Sequence, residues 1–292
     1  MQLAQFFKPG RCALSFELFP PKTDAGVEAL MTTVGELMRF APDFMTCTYG
    51  AGGSTRDRTL QVASAVRQQH GVPVASHLTC VGSTRDELRS YLHKASAAGI
   101  DYIVALRGDP PKGESAFQVT AGGLRYANEL VSLIRAEFPN FGIAVAGYPE
   151  VHQECPSAEL DLQNLKRKVD AGADIVVTQL FYDNADFYRF RDGCERAGIR
   201  VPIVPGILPV TNLAQVQRIT SLCKAKLPES FVAQLSQRED EQWQFAVGVD
   251  HARQQVQDLI ASGVPGVHFY VLNKSLATNQ ILAGLDGWQR PA

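Results

Sequence analysis

One carboxylate lies inside a short apolar segment near the beginning of the chain. Glu17 stands in residues 13–21, ALSFELFPP, where Leu14, Phe16 and Leu18 alternate as in a buried strand and two prolines end the segment. A buried carboxylate must accept hydrogen bonds, or burial raises its pKa until it holds a proton. The apolar strand predicts that burial raises the pKa of Glu17, so that its carboxyl group holds a proton at neutral pH and can serve as a general acid. The alternative is an edge-strand glutamate that points into water.

Polar residues also stand at the carboxyl ends of the other predicted strands. In a barrel of parallel strands these ends meet at one face, where catalytic groups collect. The pattern therefore predicts one site, built from several strands around Glu17. Its candidate members, in chain order, are Thr48, Tyr49, His77, Arg107, Asp109, Tyr148, His152, Gln179, Tyr270 and Asn273.

Several of these residues also have a purely structural explanation. His77 could be a core histidine bonded to a backbone carbonyl, and Arg107 could pair with Asp109 two residues further on. Gly108 between them allows the backbone to approach a ligand closely. Gln179 lies in the apolar run DIVVTQLF, where a buried amide needs polar partners that a polar substrate would supply. The functional interpretation therefore rests on the whole set.

The helix predicted over Ser157–Ala171 carries a polar stripe as well as an apolar one. Asp161, Asn164 and Lys168 are spaced three and four residues apart, so they share one side of the helix. Such a stripe is most often a solvated face. Beside a barrel mouth, however, Asp161 and Asn164 suit the hydroxyls of a sugar, and Arg167 and Lys168 suit a phosphate. The helix could thus hold a nucleotide.

The elements that must position these residues alternate regularly along the chain. Short apolar runs and longer helical patterns follow one another about eight times, which predicts parallel strands with right-handed crossovers. The predicted strands are Leu14–Phe19, Asp43–Tyr49, Pro73–Leu78, Tyr102–Leu106, Gly142–Ala146, Ile175–Phe181, Ile203–Ile207 and Val267–Leu272. The predicted helices are Ala25–Phe40, Arg56–Gln69, Arg85–Ala98, Tyr126–Phe138, Ser157–Ala171, Ala185–Ala197, Leu213–Lys224, Glu239–Ser262 and Ser275 to about Leu285.

Eight strands favour an α/β fold of the closed (β/α)₈ type, a TIM barrel. We expect a single catalytic domain over residues 1–292, with an extra helical insertion over Lys224–Glu239 before the last strand. An open doubly wound sheet is the alternative, but the glycines of YGAGGST lack the second half of a dinucleotide-binding fingerprint. The loop from Asp109 to Leu124 is unusually long, and long loops in compact domains are functional or disordered.

Composition excludes several classes of protein. The formal charge of −2 and the absence of a Lys/Arg run argue against nucleic-acid and anionic-membrane partners. The chain starts without a signal-peptide pattern, and no stretch reaches the ~18 apolar residues of a membrane span, so we expect a cytoplasmic protein. Its six scattered cysteines include no C-x-x-C pair, which predicts reduced thiols and no metal site.

Nine motifs, in order along the chain, together resemble the methylenetetrahydrofolate reductase family. The resemblance extends from about residue 13 to residue 286, and its specificity lies in the series and not in any single motif. The motifs are SFELFPPK at 15–22, TCTYGAGG at 46–53, HLTC at 77–80, VALRGDPP at 104–111, AGYPEVH at 146–152, DLQNLKRKVDAGAD at 161–174, TQLFYD at 178–183, PGILPV at 205–210 and HFYVLNK at 268–274.

The resemblance implies a barrel that binds FAD non-covalently and reduces 5,10-methylenetetrahydrofolate to 5-methyltetrahydrofolate. In that family a reduced nicotinamide gives hydride to the flavin and leaves before the folate takes it. The resemblance further implies NADH as the donor, assembly as a homo-oligomer, and no C-terminal regulatory domain of the kind found in the longer eukaryotic members.

The resemblance also implies roles for individual residues. Glu17 matches the family's general acid, which protonates the folate so that its five-membered ring opens to an iminium. Asp109 matches the carboxylate that favours this cation and tunes the flavin. The cofactor-binding residues would be Thr48, Tyr49, Ala51, His77, Arg107, Gly108, Asp109, Tyr126, Ala127, Tyr148, His152, Asp161, Asn164, Arg167 and Lys168. The substrate-binding residues would be Asp109, Gln179, Gln215 and Lys274.

Two positions depart from the family pattern. Lys274 stands where relatives often carry arginine, so the bidentate fork for a carboxylate in the folate tail is lost. Ile219 stands where some relatives carry an aromatic residue that stacks on the nicotinamide. Two other functions stay open beside the reductase, namely a barrel lyase or aldolase and a non-catalytic barrel that binds a partner. The first would need a lysine for a Schiff base or a metal site.

Overall fold

A computed structural model describes residues 3–48, 56–110, 113 and 117–285 of the chain. Within these ranges strands and helices alternate, as the sequence pattern predicts. The strands are β1 (Ala13–Leu18), β2 (Phe44–Cys47), β3 (Val74–Thr79), β4 (Tyr102–Leu106), β5 (Gly142–Gly147), β6 (Ile175–Thr178), β7 (Ile203–Val204), β8 (Gly206–Ile207) and β9 (Gly266–Tyr270). The helices are α1 (Asp24–Met38), α2 (Arg56–His70), α3 (Arg85–Ala97), α4 (Ala127–Glu137), α5 (Ala158–Asp170), α6 (Asn184–Arg196), α7 (Leu213–Cys223), α8 (Glu229–Leu235), α9 (Glu241–Ala261) and α10 (Leu276–Ala283).

The strands form one parallel sheet that closes into a barrel. Their order is β7-β6-β5-β4-β3-β2-β1-β9-β8, and β7 and β8 are separated by a single residue, Pro205. Because β7 pairs with β6 while β8 pairs with β9, this interrupted strand joins the two edges of the sheet. Gly206 permits the close approach at the seam, since a Cβ there would lie 2.2 Å from the Thr178 carbonyl oxygen. The predicted (β/α)₈ barrel is confirmed.

Successive residues of each strand face opposite layers of the barrel. In β1, Leu14, Phe16 and Leu18 belong to the core between the strands and the surrounding helices. Ser15 and Glu17 point the other way, because side chains alternate across a strand. The apolar alternation that marks β1 as buried thus belongs to its outer face, and the carboxylate belongs to the barrel interior.

Residues 3–7 close the bottom of the barrel as a plug. A short 3-10 helix, Leu3–Phe6, places Leu3 in an apolar cluster with residues of β2 to β7. The Phe6 ring stacks on Phe44 at 5.8 Å and meets Tyr102 edge-on at 5.9 Å. The apolar cluster fills the amino-terminal half of the interior, so a ligand cavity is confined to the carboxyl ends of the strands.

Aspartates fasten the amino ends of neighbouring strands. Asp43 accepts a hydrogen bond from the Leu14 amide at 2.8 Å and pairs with Arg11, while Asp174 accepts from the Ile143 amide and pairs with Arg135 at 2.7 Å. Each carboxylate satisfies a backbone donor that the sheet leaves unpaired. These contacts give Asp43 and Asp174 a structural role, which is to hold neighbouring strands of the barrel together.

The predicted helical insertion is confirmed as α8, which lies between α7 and α9. Several predicted strands are too long at their carboxyl ends. β6 ends at Thr178 and not at Phe181, and β9 ends at Tyr270 because Leu272 and Asn273 adopt left-handed φ angles of 47° and 57°. Within the described part of the chain, no helix combines the length and the apolar character needed to cross a membrane.

Candidate active site

Two adjoining clefts open at the carboxyl ends of the strands. The first has a volume of about 610 Å³ and contains Glu17 at its base, and the second, of about 580 Å³, extends over α5. The two clefts share part of their walls, so a single elongated ligand can occupy both. The shared lining residues are Leu106, Arg107, Ala146, Tyr148 and His152.

Glu17 is buried in the barrel interior and is surrounded by polar side chains. Its Oε2 lies 3.2 Å from His77 Nε2 and 3.8 Å from His268 Nε2, and it accepts a hydrogen bond from Thr46 Oγ1 at 3.5 Å. The Glu17 side chain is only 10% exposed. This geometry is not that of a solvated edge-strand glutamate, and it gives His77 Nε2 a carboxylate partner.

A second contact, at Nδ1 of the ring, holds His268 in place. Its Nδ1 lies 2.8 Å from the Ser15 hydroxyl, and Ser15 and His268 are direct partners across β1 and β9. Glu17 pairs with Tyr270 in the same register, so all four side chains project from the same face of the two strands. Strand pairing therefore fixes a short polar row, Ser15, His268 and Glu17, along the barrel wall.

The prediction that burial leaves Glu17 with a raised pKa is wrong for this structure. Burial has the largest single effect and does raise the pKa of the carboxyl group. The charges and hydrogen bonds of His77 and His268 together exceed it and lower the pKa of Glu17 to about 2. A general-acid role for Glu17 therefore has to involve the two imidazoles as well.

The outer part of the first cleft has one largely apolar wall. Ile219, Leu222 and Cys223 contribute from α7, and Phe19 and Leu272 contribute from the ends of β1 and β9. Leu222 is 69% exposed, although large aliphatic side chains usually avoid water. Such a wall suits the face of a flat heterocyclic ring.

The polar stripe of α5 lines the second cleft and is not a solvated face. Asp161, Asn164, Arg167 and Lys168 all contribute to this lining. Lys168 Nζ donates a hydrogen bond to the Ala146 carbonyl at 2.5 Å. Among the described residues, it forms no ion pair with a carboxylate. Burial consequently lowers the pKa of the Lys168 ammonium to about 8, while Asp161 opposes the shift. A half-buried cation without a paired carboxylate is suited to an anionic ligand.

Arg107 pairs with Glu154 and not with Asp109. Its guanidinium makes two hydrogen bonds to the Glu154 carboxylate, at 2.6 and 2.7 Å, and lies 5.0 Å from the centre of the Phe117 ring. Asp109 is exposed at the mouth of the first cleft. The structural alternative of an Arg107–Asp109 pair is thus wrong, and Asp109 remains available to a ligand.

The predicted site residues fall into four groups. In the first cleft are Glu17, Thr48, His77, Arg107, Gly108, Asp109, Tyr148, His152, Gln179 and Tyr270. In the second are Arg107, Tyr126, Ala127, Tyr148, His152, Asp161, Asn164, Arg167 and Lys168. Gln215, which accepts from the Thr211 hydroxyl, and the exposed Lys274 are not part of either lining. Tyr49 and Ala51 lie outside the described residues.

Sequence reasoning missed three polar neighbours of Glu17, namely Ser15, Thr46 and His268. A signal for all three exists in the period of a strand, since Thr46 likewise stands two residues before the predicted site residue Thr48. Ser15 stands two residues before Glu17, and His268 stands two residues before Tyr270, so each shares a strand face with a residue already singled out. Glu154 was also missed, because no local pattern connects it with Arg107.

The closed parallel barrel and the polar clefts at its carboxyl ends define a protein with a ligand site where barrel enzymes have theirs. The family model "Methylenetetrahydrofolate reductase" matches residues 2–286 of the chain. The 5,10-methylenetetrahydrofolate reductase of Escherichia coli K12 is 41% identical over 268 residues, which cover 91% of this chain and 88% of the relative. The chain therefore belongs to the methylenetetrahydrofolate reductase family.

Plant relatives are longer. Methylenetetrahydrofolate reductase (NADH) 1 of Arabidopsis thaliana is 39% identical over 305 residues, covering 97% of this chain but 52% of the plant protein. The chain thus spans about half the length of the plant relatives it matches. Among solved structures, an uncharacterized Clostridium thermocellum protein that binds two copies of 5-methyl-5,6,7,8-tetrahydrofolic acid superposes with a TM-score of 0.64. That match is 13% identical and covers 95% of both chains, so it shows the fold alone.

Proposed function

We propose that this chain reduces 5,10-methylenetetrahydrofolate to 5-methyltetrahydrofolate, with FAD bound non-covalently and NADH as the electron donor. The observation that carries the proposal is the buried Glu17, flanked by two histidines at the base of a cleft that continues into a nucleotide-sized one. The Arabidopsis relative is a methylenetetrahydrofolate reductase (NADH), which supports NADH as the donor. The proposal includes one catalytic domain over residues 1–292, a cytoplasmic location and a homo-oligomer.

The family uses FAD, and the side chains of the two clefts fit that group. Lys168 and Arg167 can meet a pyrophosphate, while Asp161 and Asn164 can accept from or donate to ribose hydroxyls. Tyr148 and His152, whose rings meet edge-on at 4.6 Å, stand where the clefts join. Bound FAD would supply the two-electron carrier that takes hydride from the nicotinamide and passes it to the folate.

Ring opening of the folate needs a proton at one nitrogen of its five-membered ring. Because Glu17 has a pKa of about 2, a carboxyl group acting alone would rarely hold that proton at neutral pH. His77 Nε2 at 3.2 Å and His268 Nε2 at 3.8 Å can hold it and return it through Glu17 Oε2. We therefore assign the acid to the Glu17–His77–His268 cluster, with Glu17 as its outlet to the cleft.

The remaining substrate contacts are assigned to residues around the cleft mouth. Gln179 offers an amide inside the cleft, and Asp109 offers a carboxylate at the mouth that favours the cation formed on ring opening. Gln215 and Lys274, farther out, are assigned to the folate tail. The alternatives of an aldolase or a non-catalytic barrel gain no support from these contacts.

The test is a pair of half-reactions on the purified protein. NADH should bleach the flavin absorbance without oxygen, and methylenetetrahydrofolate should restore it. NADPH in place of NADH measures the donor preference, and a sedimentation profile measures the oligomeric state. A protein that binds no FAD, or a bleached flavin that the folate leaves unchanged, contradicts the proposal.

A further inference from the structure

The side-chain amide of Asn273 joins the ends of two neighbouring strands. Asn273 follows β9 by three residues, and Phe19 follows β1 directly. Asn273 Oδ1 accepts a hydrogen bond from the Phe19 amide at 2.9 Å, and Asn273 Nδ2 donates to the Phe19 carbonyl at 2.8 Å. The carboxamide thus satisfies both backbone groups of one residue, as a further strand residue would. It fixes the position and the orientation of Phe19 together.

The turn that carries this clamp has an unfavourable backbone. Leu272 and Asn273 have φ angles of 47° and 57°, a region that asparagine tolerates and leucine rarely adopts. Two further hydrogen bonds hold the turn, from Thr33 Oγ1 to the Asn273 carbonyl at 3.5 Å and from the Lys274 amide to the Val271 carbonyl at 2.8 Å. Strain of this kind persists where the surroundings impose it, and it is common at functional sites.

The clamp controls the first cleft in two ways. Phe19 is two residues beyond Glu17 on the same chain segment, so its fixed backbone limits the movement of the end of β1. The side chains of Phe19 and Leu272 both line the cleft that contains Glu17. Together they form an apolar rim beyond the ends of β1, which carries the carboxylate, and of its neighbour β9.

We propose that Asn273 is a positioning residue for the reaction, because its clamp on Phe19 fixes Glu17 against its histidines and holds the apolar rim that limits water around it. The catalytic part of this inference rests on the proposed function. Asn273 acts through Glu17 and the rim, and it touches no reacting atom in the proposal.

Three variants separate the clamp from its surroundings. Asn273→Gly removes both hydrogen bonds but tolerates the positive φ, so backbone strain does not confuse the result. Asn273→Asp keeps an acceptor for the Phe19 amide and loses the donor. Phe19→Ala is the matched control, since it removes the rim side chain and leaves both backbone hydrogen bonds in place.

The first readout compares the two half-reactions at saturating substrate. In Asn273→Gly, reoxidation of the flavin by methylenetetrahydrofolate should slow by roughly 10- to 100-fold, as expected when a reacting group is displaced by about 1 Å. FAD affinity and flavin reduction by NADH should change by less than about twofold. Asn273→Asp should fall between the wild type and Asn273→Gly, and Phe19→Ala should raise KM for the folate more than it lowers kcat.

The second readout needs no substrate. An infrared titration of the Glu17 carboxyl band, assigned by its loss in Glu17→Gln, reports the carboxyl's contact with His77 and His268. In Asn273→Gly the titration should move up toward the ordinary range of a glutamate, because the two imidazoles hold the lowered pKa.

An unchanged infrared titration, or equal loss of FAD affinity and both half-reactions, would overturn the role of Asn273. A wild-type protein without folate activity would refute the proposed function alone, since the infrared comparison still decides whether Asn273 positions Glu17.

Discussion

Glu17→Gln is the substitution that most directly tests the proton donor. It replaces a carboxylate within 3.2 Å of His77 by an amide of nearly the same size, so the cleft keeps its shape while the outlet for the proton is lost. Flavin reduction by NADH requires no proton from this residue. The two half-reactions should therefore respond differently.

The size of the effect follows from the chemistry of Glu17. A positioned general acid contributes roughly 10²- to 10⁴-fold to a rate, or about 3–5 kcal/mol of activation free energy. Folate-dependent reoxidation should fall by a factor in that range, and flavin reduction should stay within about twofold of the wild type. Glu17→Asp, which keeps the charge but withdraws it by one methylene, should lie in between.

The pH dependence of flavin reoxidation distinguishes Glu17 acting alone as the acid from a proton that Glu17 shares with His77 and His268. With a pKa of about 2, a carboxyl group acting alone loses tenfold of its protonated form with each pH unit above that value. The reoxidation rate would then fall steeply across about pH 4 to 6. If His77 and His268 supply the proton to Glu17, this steep fall is not expected.

Anaerobic stopped-flow absorbance of the flavin measures both half-reactions on one preparation. Equal loss of both in Glu17→Gln would show that Glu17 supports the cofactor or the fold, and a wild-type reoxidation rate would remove it from the chemistry altogether. A steep fall between pH 4 and 6 in the wild-type protein would refute the shared proton.

Four further substitutions probe the cofactor cleft, the fold and the folate tail. FAD affinity, measured by flavin fluorescence, should fall as pH rises through about 8, because the Lys168 ammonium then loses its proton. Lys168→Met should abolish this pH dependence and weaken FAD binding roughly 10- to 100-fold. Gly108→Ala places a Cβ 2.5 Å from Val81 Cγ1 at a φ of +88°, so it should cost about 1–3 kcal/mol in chemical denaturation, and a wild-type denaturation midpoint would contradict the clash. Asp174→Ala should lower the thermal midpoint by several degrees, at a cost of about 1–3 kcal/mol, with both half-reactions intact in steady-state assays. Lys274→Ala should raise KM for the folate and spare flavin reduction, whereas an unchanged KM would place Lys274 outside the site.

Most of the fold could be predicted from the sequence because a barrel repeats the same strand and helix patterns along the chain. Each strand is buried on both faces and each helix on one, so periods of two and of 3.6 residues alternate along the chain. The ends of the strands were less predictable, since an apolar run continues past the last ladder bond. Ile175–Phe181 is one such run, of which the last three residues are loop. The strand predicted as continuous over Ile203–Ile207 is broken at Pro205 into β7 and β8, because proline removes a ladder donor.

The candidate site was predictable as a set of positions but not as a set of partners. The local pattern allowed a buried Glu17 or a solvated one, and the structure decides for the buried carboxylate. Its lowered pKa did not follow from that pattern, because the effect of His268 depends on strand pairing between residues 253 positions apart in the chain. The partner of Arg107 could not be predicted for the same reason, since Glu154 reaches Arg107 only after the loop beyond β5 folds back.

The plug at the bottom of the barrel has a consequence for the order of assembly. Leu3 and Phe7 lie against Gly142 and Gly266, which belong to β5 and β9 on different parts of the barrel circumference. A segment at one end of the chain thus finds its binding surface only after strands from its middle and its other end have met. Because contacts so distant in sequence form slowly, docking of residues 3–7 should be among the last folding events. Formation of the contact between the stacked rings of Phe6 and Phe44 during folding should therefore follow closure of the barrel.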